Sequence, residues 1–350
     1  MWTDHETYLE DLNTVASDSS IPWHLLEGKT VLVTGATGLV GSNVVNALLY
    51  QGMERGTGCR VVAPVRDISK AEALFCRQLL DCPGRLTLVQ GDVSVPLSVP
   101  GNVDYIVHGA SQTASAAFIS NPVQTIETAV LGTRHILELA LEKNVKSLVY
   151  LSSMEAYGSP HDEIPLTEDS PAYFDSMSPR SCYPESKRMC EALCCAYAQQ
   201  YNVPAKVIRL AQTFGPGVRK EDTRVFVDFA KKALAGEDII LRTKGDSCRM
   251  YLYTMDAVAA ILSVLLCGET GACYNAANKN TYCSIREMAE LVSHTLSQGR
   301  SRVTVQTDDE ASKIYPPAHK LYLDTGKLER LGWHARFALA DMYKRMVKGF

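Results

Sequence analysis

From residue 29 to residue 210, the chain alternates short apolar runs with longer segments of helical period. The short runs are rich in β-branched residues and almost continuously apolar, as in strands that are buried on both faces. The segments between them, such as GSNVVNALLYQ and TAVLGTRHILELALE, have the spacing of helices. The pattern predicts an α/β fold in which helices cover both faces of a parallel sheet. The six predicted strands are TVLVT (30–34), CRVVAPV (59–65), LTLVQ (86–90), DYIVHGA (104–110), KSLVYLSS (146–153) and PAKVIRL (204–210).

After residue 214 this alternation gives way to a polar loop and to three further predicted helices, VFVDFAKKALAG, MDAVAAILSVLL and IREMAELVSHTLS. The change indicates a smaller, more helical region, although the helix at 256–266 is a candidate to return to the first sheet. Before the first strand, an amphipathic helix is predicted, with a role in packing or oligomer contact. We therefore expect three parts: an N-terminal helical extension (1–27), a parallel-sheet domain (28–210) and a second region (211–350).

Composition and charge exclude several classes of function. The chain has 350 residues, 46% of them hydrophobic and 21% charged, as in a soluble globular protein. Its net charge is −4 without a long basic run, so we expect no binding to nucleic acid. The first 20 residues lack the apolar core of a signal peptide, and no apolar run reaches the length of a membrane span. A cytoplasmic protein without a membrane segment is predicted.

The 11 cysteines are scattered, and they show no paired C-x-x-C spacing. Reduced cysteines that pack as small hydrophobic side chains are therefore expected, and these also suit the cytoplasm. Ligand spacing gives no support for a zinc site, so no metal is predicted.

A glycine-rich turn, VLVTGATGLVGSNVVNALL, joins the first strand to its helix. The spacing is G-x-x-G-x-x-G, with Gly35, Gly38 and Gly41 at the places where a turn must bring backbone close to a pyrophosphate. Because the motif lies between a strand and a helix, it predicts a dinucleotide cofactor. The predicted contacts in this turn are Gly35, Thr37, Gly38, Leu39 and Val40.

The end of the second strand bears on the choice between NAD and NADP. NAD sites usually carry an acidic residue there, whereas this chain has Arg66, with Lys70 one helical turn further. The two cations could bind a 2′-phosphate, which favours NADP, but Arg66 could instead stack on adenine or remain in a solvated ion pair. Asp92 is expected to accept a hydrogen bond from adenine, and Val93, Ala110 and Ser111 complete the predicted cofactor contacts.

The segment SCYPESKRMCEAL carries Tyr183 and Lys187 four residues apart. Pro184 suits the first turn of a helix, and on that helix the ammonium would lie on the same face as the phenol. The same spacing also occurs by chance on surface helices.

Together these motifs resemble the extended short-chain dehydrogenase/reductase family of nucleotide-sugar epimerases, dehydratases and decarboxylases. The resemblance covers about residues 28–347 and includes HGAS, LSSMEAYG, RLAQTFGPG, CRMYLYTMDAV and LGW, in that order. It implies a Rossmann-type doubly wound parallel sheet that binds NAD(P). It also implies a smaller C-terminal α/β region that binds a nucleotide sugar, and a homodimer.

The family assigns Tyr183 the role of base toward a sugar hydroxyl. A free tyrosine has a pKa of about 10, so a nearby ammonium from Lys187 and the positive nicotinamide should favour the phenolate. Lys187 would also hold the nicotinamide ribose. Ser153 aligns with the residue that orients the reacting hydroxyl, and Ser152 is a second candidate for substrate contact.

Within the family, the residues after Ser153 discriminate between reactions. Dehydratases carry an Asp-Glu pair there, and Met154 cannot replace the acid, so dehydration is disfavoured. The elements SMEAYG and RSCY resemble the UDP-glucuronate decarboxylases, in which oxidation at C4 gives a β-keto acid that loses carbon dioxide. Glu155 would then position the ring or move protons, or would be a salt-bridged carboxylate near the cleft. Arg249, Arg224 and Gln212 match positions that contact the nucleotide sugar.

Three readings of the function remain open at this point. The first is a decarboxylase or 4-epimerase with a tightly held cofactor, and the second is an NADPH-consuming reductase of a nucleotide-linked keto sugar. The third, a regulator that binds the cofactor without catalysis, is disfavoured by the complete set of Ser153, Tyr183 and Lys187.

Overall fold

The structure, a computed structural model, describes residues 5–56, 58–112, 115–160, 164–307 and 318–350. All six predicted strands are confirmed, as β1 to β5 and β7. The strands are β1 (Thr30–Thr34), β2 (Arg60–Val65), β3 (Leu86–Gln90), β4 (Tyr105–His108), β5 (Ser147–Ser153), β6 (Pro165–Leu166), β7 (Ala205–Leu210), β8 (Gln212–Phe214), β9 (Ile239–Leu241), β10 (Cys248–Tyr253), β11 (Cys273–Ala276), β12 (Asn278–Ser284), β13 (Val303–Val305) and β14 (Lys320–Leu323).

The predicted helices are present with one difference, and the helices at Ser115–Ser120, Gly326–Glu329 and Leu339–Val347 were not predicted. The run KAEALFCRQLL, predicted as a single helix, is divided at Phe75, whose side chain is buried in the core. The helices are α1 (Glu6–Ala16), α2 (Leu39–Arg55), α3 (Ile68–Leu74), α4 (Cys76–Asp81), α5 (Ser115–Ser120), α6 (Pro122–Glu142), α7 (Cys182–Tyr201), α8 (Val225–Ala235), α9 (Thr254–Cys267), α10 (Ile285–Ser297), α11 (Gly326–Glu329) and α12 (Leu339–Val347).

The large sheet has seven parallel strands in the order β11-β7-β5-β4-β1-β2-β3. Because the chain runs outward from β1 to β3 and then resumes at β4 on the other side of β1, the order reverses between β1 and β4. The carboxyl ends of the strands at such a reversal form the ligand crevice of doubly wound sheets. The predicted α/β fold with a Rossmann-type parallel sheet is confirmed.

Part of the second region returns to this sheet. Strand β11 pairs with β7, and α9, which is buried along almost its whole length, packs against β5 and β7. The rest of the region forms a sheet of five strands, β12-β10-β14-β6 with β8 beside β10, in which β6 comes from the first part of the chain, and the pair β13-β9. Because β8 follows β7 directly along the chain, this second sheet starts at the carboxyl ends of the large one.

The N-terminal helix α1 packs against α2 and α9, and Tyr8 and Leu12 are buried there. Tyr8 donates a hydrogen bond from its hydroxyl to Asn43 Oδ1 over 2.7 Å. The buried carboxylate of Asp11 accepts hydrogen bonds from the Tyr253 hydroxyl and from Arg345 Nη1, the latter over 2.7 Å. Helix α1 is therefore held by residues from the second sheet and from the last helix.

Candidate active site

A cavity of about 1520 Å³ extends from the carboxyl ends of the large sheet into the second region. It is lined by the glycine turn after β1, by the segments after β2, β4 and β5, and by the start of α8 and the segment between β9 and β10. Pockets for a single small ligand usually measure about 300–1,000 Å³. The volume is therefore sufficient for a dinucleotide together with a second ligand.

The glycine turn has the geometry that a bound pyrophosphate requires. Gly35 adopts a φ of +70°, and a Cβ atom on it would lie 2.8 Å from the Gly109 backbone. A Cβ atom on Gly41 would lie 2.2 Å from the carbonyl oxygen of Gly35, so a side chain fits at neither position. Gly38 caps α2 without a side chain, and the helix begins at Leu39 beside the cavity. Uncapped N–H groups at a helix start bind anions, so these residues fit a dinucleotide.

The segments after β2 and β3 line the same cavity as the glycine turn, which we call the glycine cradle. Arg66, Asp92 and Val93 line the cavity, as do Thr37, Ala110 and Ser111. Burial would raise the pKa of Asp92, but hydrogen bonds from the Ser94 amide and hydroxyl and the charge of Arg66 outweigh it and hold the pKa below normal. Lys70 lies on the exposed surface of α3 and is not among the residues that line the cavity, unlike Arg66.

Tyr183 and Lys187 lie on the first two turns of α7, and Pro184 lies in its first turn. Both side chains are buried and line the cavity. Lys187 Nζ donates a hydrogen bond of 2.7 Å to the Leu151 carbonyl and lies 5.6 Å from the centre of the Tyr183 ring. Phe118 on α5 stacks on the other side of the tyrosine, with ring centres 4.5 Å apart and planes at 14°. The phenol is therefore fixed between two helices.

Burial dominates the electrostatics of this pair. Burial, followed by the charge of Glu155, raises the pKa of Tyr183, while the Ser153 hydroxyl lowers it. Burial also lowers the pKa of Lys187 to about 8, and its ammonium is bound to a backbone carbonyl. In the chain by itself, desolvation is the largest influence on the Tyr183 pKa, and the joint effect of Lys187 and the nicotinamide stays a prediction.

Glu155 is presented to the cavity by a short turn that follows β5. Ser153 caps this 3₁₀ turn, with its hydroxyl accepting a hydrogen bond of 3.2 Å from the Glu155 amide. The side chain is exposed to the cavity, and desolvation by the surrounding protein atoms raises its pKa against the charges of Arg249, Arg180 and Lys187. Met154, the preceding residue, is buried. The structure therefore brings Ser153, Glu155, Tyr183 and Lys187 together in one cavity.

Beneath this cluster lies an ion pair that the sequence did not reveal. Arg209 on β7 forms two hydrogen bonds to Glu191 on α7, over 2.9 and 2.7 Å, and stacks 4.6 Å from the centre of the Tyr157 ring. The Ser152 hydroxyl donates to Glu191 Oε1 over 2.5 Å. Ser152 was predicted to contact substrate, but its hydroxyl is engaged in this network because alternate residues of a strand face opposite sides.

The predicted substrate contacts Gln212, Arg224 and Arg249 all line the second half of the cavity. Arg224 is held by Asp222, with Nη2 and Oδ2 2.6 Å apart. Arg249 Nη2 lies 3.1 Å from His319 Nε2, and its Nε is buried without a hydrogen-bond partner among the described residues. An unpartnered guanidinium N–H in a cavity is suited to an anionic ligand.

The structure adds Phe118, Arg180 and His319 to the predicted lining of the site. The first lies on a short helix and the other two on connecting segments, where residue type has no regular spacing to reveal it. In the described part of the chain, no group of three or more potential metal ligands is found. None of the described helices is long and apolar enough to span a membrane.

Comparisons with known proteins agree with this architecture. The model of the NAD dependent epimerase/dehydratase family matches residues 31–277. UDP-glucuronic acid decarboxylase 6 of Arabidopsis thaliana is 30% identical over 91% of this chain and 88% of its own length. UDP-glucuronic acid decarboxylase 1 of Xenopus tropicalis is 28% identical over 92% of this chain and 72% of its own. The structure of a dTDP-glucose 4,6-dehydratase from Streptomyces venezuelae, with NAD and TYD bound, superposes with a TM-score of 0.75 and 25% identity, over 91% of this chain and 96% of that one.

Proposed function

The chain belongs to the NAD dependent epimerase/dehydratase family, and from this we propose that it is a nucleotide-sugar decarboxylase acting on UDP-glucuronate. The observation that carries the proposal is the joint placement of Tyr183, Ser153 and Glu155 in one cavity beside the glycine cradle. The decarboxylases among the curated relatives support the same substrate.

A nicotinamide dinucleotide held by the cradle would supply the hydride acceptor for oxidation of the sugar at C4. The chain itself must then remove the proton of the C4 hydroxyl. Tyr183 would act as that base, while the Ser153 hydroxyl orients the reacting oxygen. Lys187 lies on the same helix face and adds positive charge to this end of the cavity.

The residues after Ser153 favour decarboxylation over the other reactions of the family. Met154 has no proton to donate, so expulsion of a hydroxyl lacks its acid at that position. A 4-keto uronate needs no such acid to lose carbon dioxide. The bond between C5 and the carboxylate carbon C6 breaks, and its electron pair moves into the C4 ketone. Glu155, whose pKa desolvation raises, would handle the proton that C5 then takes up.

The test is to incubate the purified protein with UDP-glucuronate and measure carbon dioxide without added cofactor. Release of carbon dioxide supports decarboxylation, whereas interconversion of UDP-glucose and UDP-galactose would identify a 4-epimerase. Denaturing the protein and analysing any released nicotinamide establishes whether the cofactor is NAD or NADP.

A second candidate is an NADPH-dependent reductase of a nucleotide-linked keto sugar. The observation in its favour is Arg66, which lines the cofactor end of the cavity and could bind a 2′-phosphate. The absence of Lys70 from the lining leaves only one of the two predicted cations there. Stoichiometric consumption of NADPH with a keto sugar would support this alternative.

We further propose a cytoplasmic homodimer. The helices α6 and α7 pack together, and their outer surface exposes Val123, Ile126, Leu131 and Met189. Large apolar side chains exposed on neighbouring helices support association with a second copy. Light scattering of the wild-type protein and of Ile126→Glu should give a dimer and a monomer respectively.

A further inference from the structure

The cavity contains a cation that neither the predicted catalytic set nor the predicted cofactor and substrate contacts use. We propose that Arg180 binds the carboxylate of the sugar and so selects nucleotide-linked uronates over neutral nucleotide sugars. This inference rests on the proposed function and identifies the residue that recognises the anionic part of the substrate.

Two other cations close to this end of the cavity are engaged: Lys187 is bound to the Leu151 carbonyl, and Arg224 is held by Asp222. Arg249 keeps a buried Nε without a partner among the described residues, but it is already predicted to contact the nucleotide sugar. Arg180 lines the same cavity, but no hydrogen bond or ion pair engages its guanidinium anywhere in the described ranges. A guanidinium that faces a cavity without a partner is an open site for a planar anion.

Arg180 also occupies the right position along the chain. It lies in the 3₁₀ turn Pro179–Ser181, directly before α7, and therefore only three residues before Tyr183. The turn is fixed by the Ser181 hydroxyl, which donates a hydrogen bond of 2.6 Å to the Asp175 carbonyl. Desolvation raises the pKa of Glu155, and the charges of Arg249 and then Arg180 oppose that rise, so the Arg180 guanidinium acts on the end of the cavity that holds the reacting groups.

The chemistry of the substrate places an anion at this point. When the C4 hydroxyl is at Tyr183, the C5 carboxylate is attached to the adjacent ring carbon. A guanidinium binds a carboxylate through two parallel hydrogen bonds, which a neutral hydroxymethyl group cannot replace. When carbon dioxide leaves, the product has lost this anion, and Arg180 no longer contributes to holding it.

Because Arg180 contacts a group that is present throughout binding and oxidation, its removal should affect substrate affinity more than turnover. We expect Arg180→Gln to weaken binding of UDP-glucuronate by about 10- to 100-fold, as for loss of a charged hydrogen bond. Binding of UDP-glucose should change by less than about three-fold, since that sugar carries no carboxylate. Arg180→Lys keeps the charge but cannot form the two parallel hydrogen bonds of a guanidinium. It should therefore retain part of the affinity for UDP-glucuronate that Arg180→Gln loses.

The experiment is isothermal titration of wild-type, Arg180→Gln and Arg180→Lys with both nucleotide sugars, together with KM and kcat for carbon dioxide release. The matched control is Arg242→Gln, which removes an equal charge from the far part of the same cavity. The control must leave the ratio of the affinity for UDP-glucuronate to the affinity for UDP-glucose unchanged. Arg180→Gln must reduce that ratio.

The inference is overturned if Arg180→Gln weakens both sugars equally or weakens neither, or if the wild type does not prefer UDP-glucuronate. A failure of the proposed function looks different, because the wild-type protein would then release no carbon dioxide. A protein that prefers and binds the uronate through Arg180 without decarboxylating it would keep the inference and reject that function.

Discussion

Replacing Arg209 by methionine should destabilise the protein strongly, because it leaves a buried carboxylate without its partner. The Arg209 side chain is only 6% exposed and that of Glu191 only 11%, so water cannot replace the lost contacts. The substitution removes two hydrogen bonds to Glu191, over 2.9 and 2.7 Å, and one of 3.0 Å to the Glu168 carbonyl.

The remaining partner of Glu191 is the hydroxyl of Ser152. Breaking a buried ion pair from one side typically costs about 3–5 kcal/mol, and we expect about 4 kcal/mol for Arg209→Met. A domain of this kind has a free energy of unfolding of about 5–15 kcal/mol. The variant should therefore still fold in water, but its urea unfolding midpoint should lie at a lower concentration than that of the wild type. Activity should also fall, because Ser152 and Tyr157 flank the turn that presents Glu155.

The assay is urea unfolding at neutral pH, followed by far-ultraviolet circular dichroism. The double variant Arg209→Met/Glu191→Leu should regain most of the loss, since it removes both charges. The control Arg134→Met breaks the exposed pair with Glu138 and should leave the midpoint unchanged. A loss below about 1 kcal/mol for Arg209→Met would refute the reasoning, because it would mean that the pair is hydrated.

Three further predictions concern the tyrosine, its stacking partner and the N-terminal helix. Tyr183→Phe removes the proposed base, and should reduce carbon dioxide release at least about 100-fold while nicotinamide binding, measured by fluorescence, is retained. Phe118→Leu removes the stacked ring and should lower kcat several-fold and move the acidic limb of the pH profile, which a catalytic base sets, to lower pH, because burial is what most raises the Tyr183 pKa. Phe118→Tyr keeps the ring and should restore both, and an unchanged profile in the leucine variant would contradict the role of the stack. Burial raises the pKa of Asp11 to about 6, above its unfolded value, so this group stabilises the fold at low pH and the contribution is lost as the pH rises through 6. The stability of wild type relative to Asp11→Asn should therefore fall by up to about 3 kcal/mol between about pH 4 and 7, and a difference independent of pH would exclude the titration.

The sheet and its glycine turn could be predicted from sequence because their requirements are local. A strand buried on both faces needs an uninterrupted apolar run, and the close approach at Gly35 and Gly41 leaves no room for a side chain. Both requirements can be recognised in the sequence itself, the first as an apolar run and the second as glycine at fixed positions.

The arrangement around the reacting groups could be predicted only in part. Ser152 and Ser153 are chemically identical neighbours whose side chains point to opposite faces of β5. Ser152 therefore contacts Glu191, whereas Ser153 caps the turn that carries Glu155. Arg180 and His319 lie on irregular segments, so their approach to the cavity depends on contacts between distant parts of the chain. Burial raises the pKa of Tyr183, and the stacking of Phe118 on its ring joins two segments that no spacing in the sequence relates.

The contacts of α1 have a consequence for how the protein is made. Asp11 lies 334 residues before Arg345, so α1 leaves the ribosome long before its charge partner is made. At a translation rate of about 5–20 residues per second, Arg345 is synthesised about 20–70 s after Asp11. The ion pair of Asp11 can therefore form only after α12 has been made, and a nascent chain stalled before α12 would hold α1 on α2 and α9 without it.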